Sequence, residues 1–366
     1  MKKKKILLLP KYTQKGPSSR YRVYQYIPIL SEKYSVEVSP FFSDNYINQL
    51  LKGYKPSIFS ALFSFIKRAL KVILLSARNT KLVLIEYELV PYFPSIFESI
   101  LTWKGIRYVS IYDDAVFHRY DKSTNLFIKT FLAKKVKNVM KKSAAVIVGN
   151  KYLFEYAKTS SQSKIFLIPT VVNPDLYPPK KDFSDNIKVV WIGSPSTSKY
   201  LKKIESILLR LSESHSFELD IIGARNIDLN KNIRHAQIDF DETNESSNLS
   251  DYDIGIMPLF NSEWELGKCG FKLIQYMASG LPTIADNVGA NSEIIINGET
   301  GFLCNSDKEW LKNFEMLITN KKLRQEFGSN GVKRVRKLYS LNSTKEIFLK
   351  IVHESMGGLN AAKNLK

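Results

Sequence analysis

The chain has 366 residues, enough for about two domains of ~150 residues each. A hydrophobic fraction of 44% supports sizeable cores and excludes a disordered or collagen-like chain. The formal charge is +19, and all of it falls in residues 1–180, where 30 Lys and Arg stand against 11 Asp and Glu; residues 181–366 hold 24 of each. The first half is therefore expected to meet an anionic surface or ligand.

The basic lead Met1–Lys5 precedes a four-residue apolar run, Ile6–Leu9. A secretory signal needs roughly 7–15 apolar residues, so a buried first strand is expected instead. The greasiest stretch, Ile58–Leu75, is interrupted by Lys67, Arg68 and Lys71. A spanning helix needs about 20 mostly apolar residues, so none is expected. Candidate strands are Lys5–Leu9, Val36–Pro40, Leu82–Ile85, Arg107–Ile111, Ala145–Val148 and Ile165–Ile168, then Lys188–Ile192, Glu218–Ile222, Ile254–Pro258, Thr283–Ala285 and Gly301–Leu303. Their apolar runs are continuous, as in parallel strands buried on both faces. Helical patterns lie between them, at Tyr21–Tyr34, Thr124–Lys142, Tyr200–Ser214 and Lys272–Ser279. The alternation predicts an α/β chain of two doubly wound domains. The Pro-rich, polar stretch Asn173–Pro179 suits a linker. This places one domain at 1–175 and the other at 176–339, with amphipathic helices near Lys333–Glu354 and a frayed tail at 359–366.

Cys269 and Cys304 are too few for a disulfide framework, which points to a reducing compartment. His118, His215, His235 and His353 show no zinc-ligand spacing, so no zinc site is expected. In doubly wound folds, loops beyond the carboxyl ends of the strands carry the chemistry. The loop Gly193-Ser194-Pro195-Ser196-Thr197 follows one such strand. Its small residues and hydroxyls suit either a phosphate or an ordinary N-capped helix start.

Further on run Met277-Ala278-Ser279-Gly280-Leu281-Pro282, then Gly289-Ala290-Asn291-Ser292-Glu293, then Gly298-Glu299-Thr300-Gly301-Phe302-Leu303. In order and spacing over about 50 residues they resemble the donor half of the retaining GT-B glycosyltransferases of family four, the group 1 glycosyltransferases. That resemblance implies two Rossmann-like domains facing a central cleft, an acceptor-binding first domain, a donor-binding second domain, and a helix near 340–358 crossing back to the first. Two departures stand out. Gly267 and Gln275 occupy the places of the family's Glu-x7-Glu pair. Gln275 retains hydrogen-bonding capacity for a ribose hydroxyl, and the first role passes to a neighbour or is empty. Lys268 and Lys272, four apart, share a face if both are helical. They would either neutralise a departing nucleoside diphosphate or lie as solvated surface lysines. Gly193, Ser194, Ser196, Thr197, Gly289, Asn291 and Glu293 complete the candidate donor site, with Glu293 equally suited to a helix first turn.

In the first half, Lys15-Gly16-Pro17-Ser18-Ser19-Arg20-Tyr21-Arg22 resembles the family's first loop. Arg20 and Arg22 suit a diphosphate or an anionic acceptor. Glu88 with Pro91 and the paired Asp113-Asp114 resemble acceptor-side segments of related sequences. The paired acids suit binding an acceptor hydroxyl and positioning it for attack, with Asp113 the catalytic candidate, or else a structural cap or salt bridge; a metal would need more oxygen ligands. Glu88, Asp114 and His118 are further acceptor candidates. Two basic amphipathic stretches, Ile58–Ile73 and Phe127–Lys142, either lie on an anionic leaflet or bury their apolar faces with lysines in water. For the second, burial of the apolar face is expected.

These readings predict a cytoplasmic glycosyltransferase, peripheral at the inner face of the membrane. It would move a sugar from a nucleotide-sugar donor to a glycan or lipid-linked acceptor in cell-envelope polysaccharide synthesis, with retention, no cofactor and no metal. A nucleotide-sugar epimerase of the same fold, or a non-catalytic sugar-nucleotide or nucleic-acid-binding protein, are the alternatives. Nucleic acid is not the expected partner, because no recognition module accompanies the charge.

Overall fold

The structure is a computed structural model in which residues 3–51, 54, 57–240 and 248–357 are described. The expected tail at 359–366, and Met1 and Lys2 of the basic lead, lie outside the described residues. Val171–Ser343 form one compact unit; the rest of the described residues, including the helix that returns from Thr344, form the other.

The first unit holds β1 (Lys5–Leu9), β2 (Ser35–Val38), β3 (Thr80–Glu86), β4 (Tyr108–Tyr112), β5 (Ala145–Val148) and β6 (Lys164–Leu167). They form one parallel sheet in the order β2-β1-β3-β4-β5-β6. The apolar runs of β1, β4 and β5 are buried along nearly their whole length. The second unit holds β7 (Ile187–Ile192), β8 (Phe217–Ile222), β9 (His235–Ile238), β10 (Ile254–Met257), β11 (Thr283–Asp286) and β12 (Gly301–Cys304). Its parallel order is β12-β11-β10-β7-β8-β9. Counted within the unit this is the Rossmann order 3-2-1-4-5-6 read in reverse. The chain is thus α/β with two doubly wound domains.

Strand β9 is absent from the sequence expectation. It lies at the sheet edge, largely exposed, so His-Ala-Gln-Ile carries no buried apolar run. Several helices are also shorter than the periodicity suggests. The stretch Tyr21–Tyr34 divides between the helix Pro17–Arg22, the single turn Tyr24–Tyr26 and the helix Ile27–Lys33, whose Pro28 favours a fresh helix start. Thr124–Lys142 divides into helices Leu126–Leu132 and Lys135–Lys142.

In the first basic stretch the structure removes the buried-face alternative; in the second it buries only part of the expected apolar face. In the helix Ile58–Leu74 the buried side chains are Ser64, Arg68 and Val72, while Phe59, Phe63 and Ile66 are exposed. Its apolar face is outside the core. Phe127 and Phe131 are exposed as well, whereas Val136, Val139 and Met140 are buried. Lys135, expected on the solvated cationic face, is buried and ion-paired with Glu88. Among the described residues no helix is long and apolar enough to cross a membrane.

The final helix, Leu341–Met356, belongs mostly to the first unit: Phe348 stacks on Tyr26 at 4.0 Å, and the Tyr26 hydroxyl lies 2.9 Å from Thr344 Oγ1.

Candidate active site

Each sheet has a point where strand order reverses, and there the loops beyond the carboxyl ends diverge to leave a crevice. In the second unit that point lies between β7 and β10. The loop after β7 begins at Gly193, whose added Cβ would lie 2.0 Å from the Trp191 ring. Ser194 and Thr197 cap each other across the turn Pro195–Thr197: the Ser194 amide donates to Thr197 Oγ1 at 2.9 Å, and Ser194 Oγ is 2.9 Å from Ser196 Oγ. Most of these hydroxyls are therefore engaged locally as caps.

Beyond β10, helix Glu263–Leu266 leads into Gly267, Lys268 and Gly270. Gly270, at φ 62°, opens the helix Phe271–Ala278; a Cβ there would meet Ile294 Cδ1 at 2.3 Å. This left-handed residue places Lys268 ahead of the helix that carries Lys272, so the two lysines do not share a helical face. They still converge on the same edge of the unit. Lys268 Nζ lies 5.7 Å from the Tyr200 ring centre and Lys272 Nζ lies 5.2 Å from that of Trp191.

Glu265, two residues before Gly267, was not singled out by the sequence. Its buried carboxylate accepts from Tyr200 Oη at 2.6 Å and from Ser262 Oγ, with Lys199 Nζ at 3.7 Å. Burial pushes this carboxyl up, but the Ser262 and Tyr200 hydrogen bonds and the Lys199 charge outweigh it and hold it below its usual value. An acid is thus present beside the vacant Glu position; the signal in the sequence is only the Glu263-Trp264-Glu265 run.

The loop after β11 closes the same edge. Gly289, at φ 54°, passes so near the preceding segment that a Cβ would lie 2.9 Å from Leu266 O. Asn291 is buried and donates to Asp286 O at 3.0 Å. Asp286 also takes Lys203 Nζ at 2.6 Å and Trp310 Nε1 at 3.1 Å. Glu293 lies in the first turn of helix Asn291–Ile294, half-buried, with its carbonyl bonded by Arg334 and Tyr339. Gln275 is buried inside the unit and donates to Tyr177 Oη at 3.1 Å.

In the first unit the reversal lies between β1 and β3. Glu86, the last residue of β3, is buried; it accepts from the Lys11 amide at 2.8 Å and from Ser19 Oγ, knitting together the ends of both strands. Burial pushes Glu86 up against those bonds. Tyr87 follows at φ 62°, a backbone region costly for a bulky residue, and donates to Asp113 Oδ1. Burial and the adjacent Asp114 charge push Asp113 up to about 7. Lys11 is lowered by burial and by the Arg119 charge, while the phenols and Asp114 around Arg119 outweigh its burial and raise it.

Other first-unit candidates are placed as internal supports. Arg22 is buried, donating to Ile168 O at 2.8 Å and Tyr112 O at 3.1 Å. Glu88 accepts from Tyr120 Oη at 2.7 Å on both oxygens and pairs with Lys135. His118 bonds Asp121 Oδ1 at 2.9 Å and Tyr152 Oη at 2.7 Å. Arg20 is half-buried, over the Tyr21 ring at 5.1 Å. Asp113, by contrast, meets Tyr87 and the Asp114 charge beyond the carboxyl ends of β3 and β4, and Arg20 lies in the first helix after β1. Lys11 and Arg119 join them without any signal in the sequence, while Glu86 and Tyr87 belong to the Glu86–Pro91 segment, where Tyr87 stands in place of the Arg of related sequences.

The class follows from the two sheets and from the second unit. Residues 186–320 match the family described as glycosyl transferases group 1, so the second unit carries a group 1 glycosyltransferase domain, and the chain has the GT-B fold. Trehalose synthase from Pyrococcus horikoshii is 32% identical over 89 residues, which is 24% of this chain and only 21% of that protein. Sucrose-phosphate synthase from Thermosynechococcus elongatus is similar in structure, with TM-score 0.70, 16% identity, and 96% of this chain and 99% of that one covered. Anabaena HepE in complex with UDP-glucose aligns with TM-score 0.63 and 13% identity over 96% of this chain and 99% of its own.

Proposed function

We propose that this chain is a glycosyltransferase that moves a sugar from a nucleotide-sugar donor, held by the second unit, to a hydroxyl of a glycan or lipid-linked acceptor held by the first. One observation carries this reading: at the order reversal of the second sheet, the small-residue loop after β7, Lys268 and Lys272 after β10, and the Gly289–Glu293 turn after β11 meet on one edge within the matched domain. HepE, with its bound UDP-glucose, makes that compound the first donor to try.

In this reading Lys268 and Lys272 stabilise the charge that grows on the diphosphate as the glycosidic bond breaks, and no metal is called for. Glu265 holds Tyr200 and Lys199 in place beside them. Asp113, with a carboxyl poised near neutrality, holds the acceptor hydroxyl. Retention, the family's usual outcome, has the leaving diphosphate assist proton removal. The charge of residues 1–180 suits an anionic membrane face, where lipid-linked precursors of envelope polysaccharides are found.

The experiment is a thermal shift screen of nucleotide sugars, followed by turnover with the best donor. A donor at 100 times its Kd raises stability by about 2.7 kcal/mol. No shift with any nucleotide sugar refutes the reading. Conversion of the donor sugar to an epimer without acceptor would favour the epimerase.

A further inference from the structure

The helix Ile58–Leu74 is inside out. Eight of its large apolar side chains, among them Phe59, Leu62, Phe63 and Ile66, are between 47% and 79% exposed. At 3.6 residues per turn they fall in an arc about 160° wide. The opposite face supplies the burial: Ser64 donates to Ser60 O at 2.9 Å, and Arg68 donates to Ser39 O at 2.9 Å and Pro10 O at 3.2 Å. Arg68 also lies 5.5 Å from the Phe41 ring centre. The two Arg68 bonds fix the helix about its axis, since turning the apolar arc inward would strand a buried guanidinium.

The surroundings continue the face. Lys104 donates to Ile73 O and to Leu75 O, the second at 3.1 Å, which brings Trp103, 84% exposed, to the carboxyl end of this helix. Lys67, exposed, stands at the flank of the arc, and Arg78, exposed, follows the helix. Charge chooses the occupant. Residues 1–180 carry the whole +19, so a second copy of this surface is repelled and an anionic surface attracted. The arc offers no hydrogen-bonding group, as a lipid interior requires, and an exposed Trp at its edge suits the headgroup level.

We propose that the helix Ile58–Leu74 lies in the plane of an anionic lipid leaflet, its outward apolar arc among the acyl chains and Lys67, Arg78 and Trp103 at the headgroups. This deepens, and for its purpose rests on, the membrane placement proposed above.

The test is co-sedimentation of the full chain with vesicles of phosphatidylcholine, with and without about one third phosphatidylglycerol. The wild type partitions to the anionic vesicles. The double variant Phe59→Ser/Phe63→Ser loses at least about tenfold in partition, whereas Lys308→Glu/Lys312→Glu, in the second unit, does not. The variants change exposed positions, and an unaltered thermal midpoint shows that each is folded. No partition of the wild type, an unchanged partition of the Phe variant, or a dimer in lipid-free buffer that the Phe variant dissolves would each overturn the proposal. Vesicle binding without any sugar transfer would refute the enzymatic reading alone; transfer without vesicle binding would refute this one alone.

Discussion

Tyr87 donates its phenolic hydrogen bond to the Asp113 carboxylate from a backbone held at φ 62°. The pair joins the residue after β3 to the residue after β4. It leaves a carboxyl whose proton is lost only near neutral pH, between Asp114 and the buried Glu86.

That arrangement makes stability depend on pH. Asp113 is raised from 3.8 to about 7 on folding, so the folded chain holds a proton that the unfolded chain has released over this window. The contribution is complete below about pH 4 and is lost as pH rises through 7. Asp113→Asn should therefore gain thermal midpoint relative to wild type between pH 4 and 8, with the gain growing as pH rises. A pH-independent difference would show an ordinary carboxyl.

Lys135 is buried beside Glu88 and Tyr120, with its ammonium also bonded to Val90 O. Lys135→Met leaves Glu88 buried and without its counter-charge, which should cost about 3–5 kcal/mol in a denaturant titration. Lys134→Met and Lys137→Met, at exposed positions of the same segment, should stay within about 0.5 kcal/mol.

In the second unit, Lys272→Ala should reduce turnover about 100-fold, with a smaller change in donor Kd, because its charge matters most as the diphosphate departs. Glu265→Gln should act the other way round. Weakening its hold on Tyr200 and Lys199 should raise donor Kd more than it lowers kcat. Single-turnover rates and donor titration separate the two.

Gly328 sits where a Cβ would lie 2.0 Å from Gly280 O. Gly328→Ala must push helix Lys321–Leu338 away from the end of helix Phe271–Ala278, at a cost of about 1–3 kcal/mol. Chemical denaturation reads the loss directly.

What the sequence showed follows from burial. Nearly all of the eleven foreseen strands hold two or more adjacent apolar residues, whereas the exposed edge strand β9, His-Ala-Gln-Ile, holds no such run. The turns of the second unit were legible because their glycines have fixed work: Gly289 must pass beside Leu266, and Gly280 and Gly298 adopt left-handed backbones. Charged residues were the least legible. Lys135 and Arg68 read as surface cations, yet each has a tertiary partner that periodicity does not reveal: Glu88 for one, the carbonyls of Pro10 and Ser39 for the other. The acid beside Gly267 was hidden for a related reason. Glu265 is meaningful only once Tyr200 and Lys199, more than sixty residues earlier, fold against it.

The return of the last helix to the first unit sets an order of assembly. During synthesis, Val171–Ser343 is a continuous stretch that can close on itself as soon as it has emerged. The first unit begins earlier but lacks Phe348 against Tyr26 until the helix Leu341–Met356 arrives. Until then the Tyr26 ring and hydroxyl lack the partners that Phe348 and Thr344 supply. The half of the chain made first is the half finished last, and a fragment stopped before Thr344 would preserve the second unit and orphan the first.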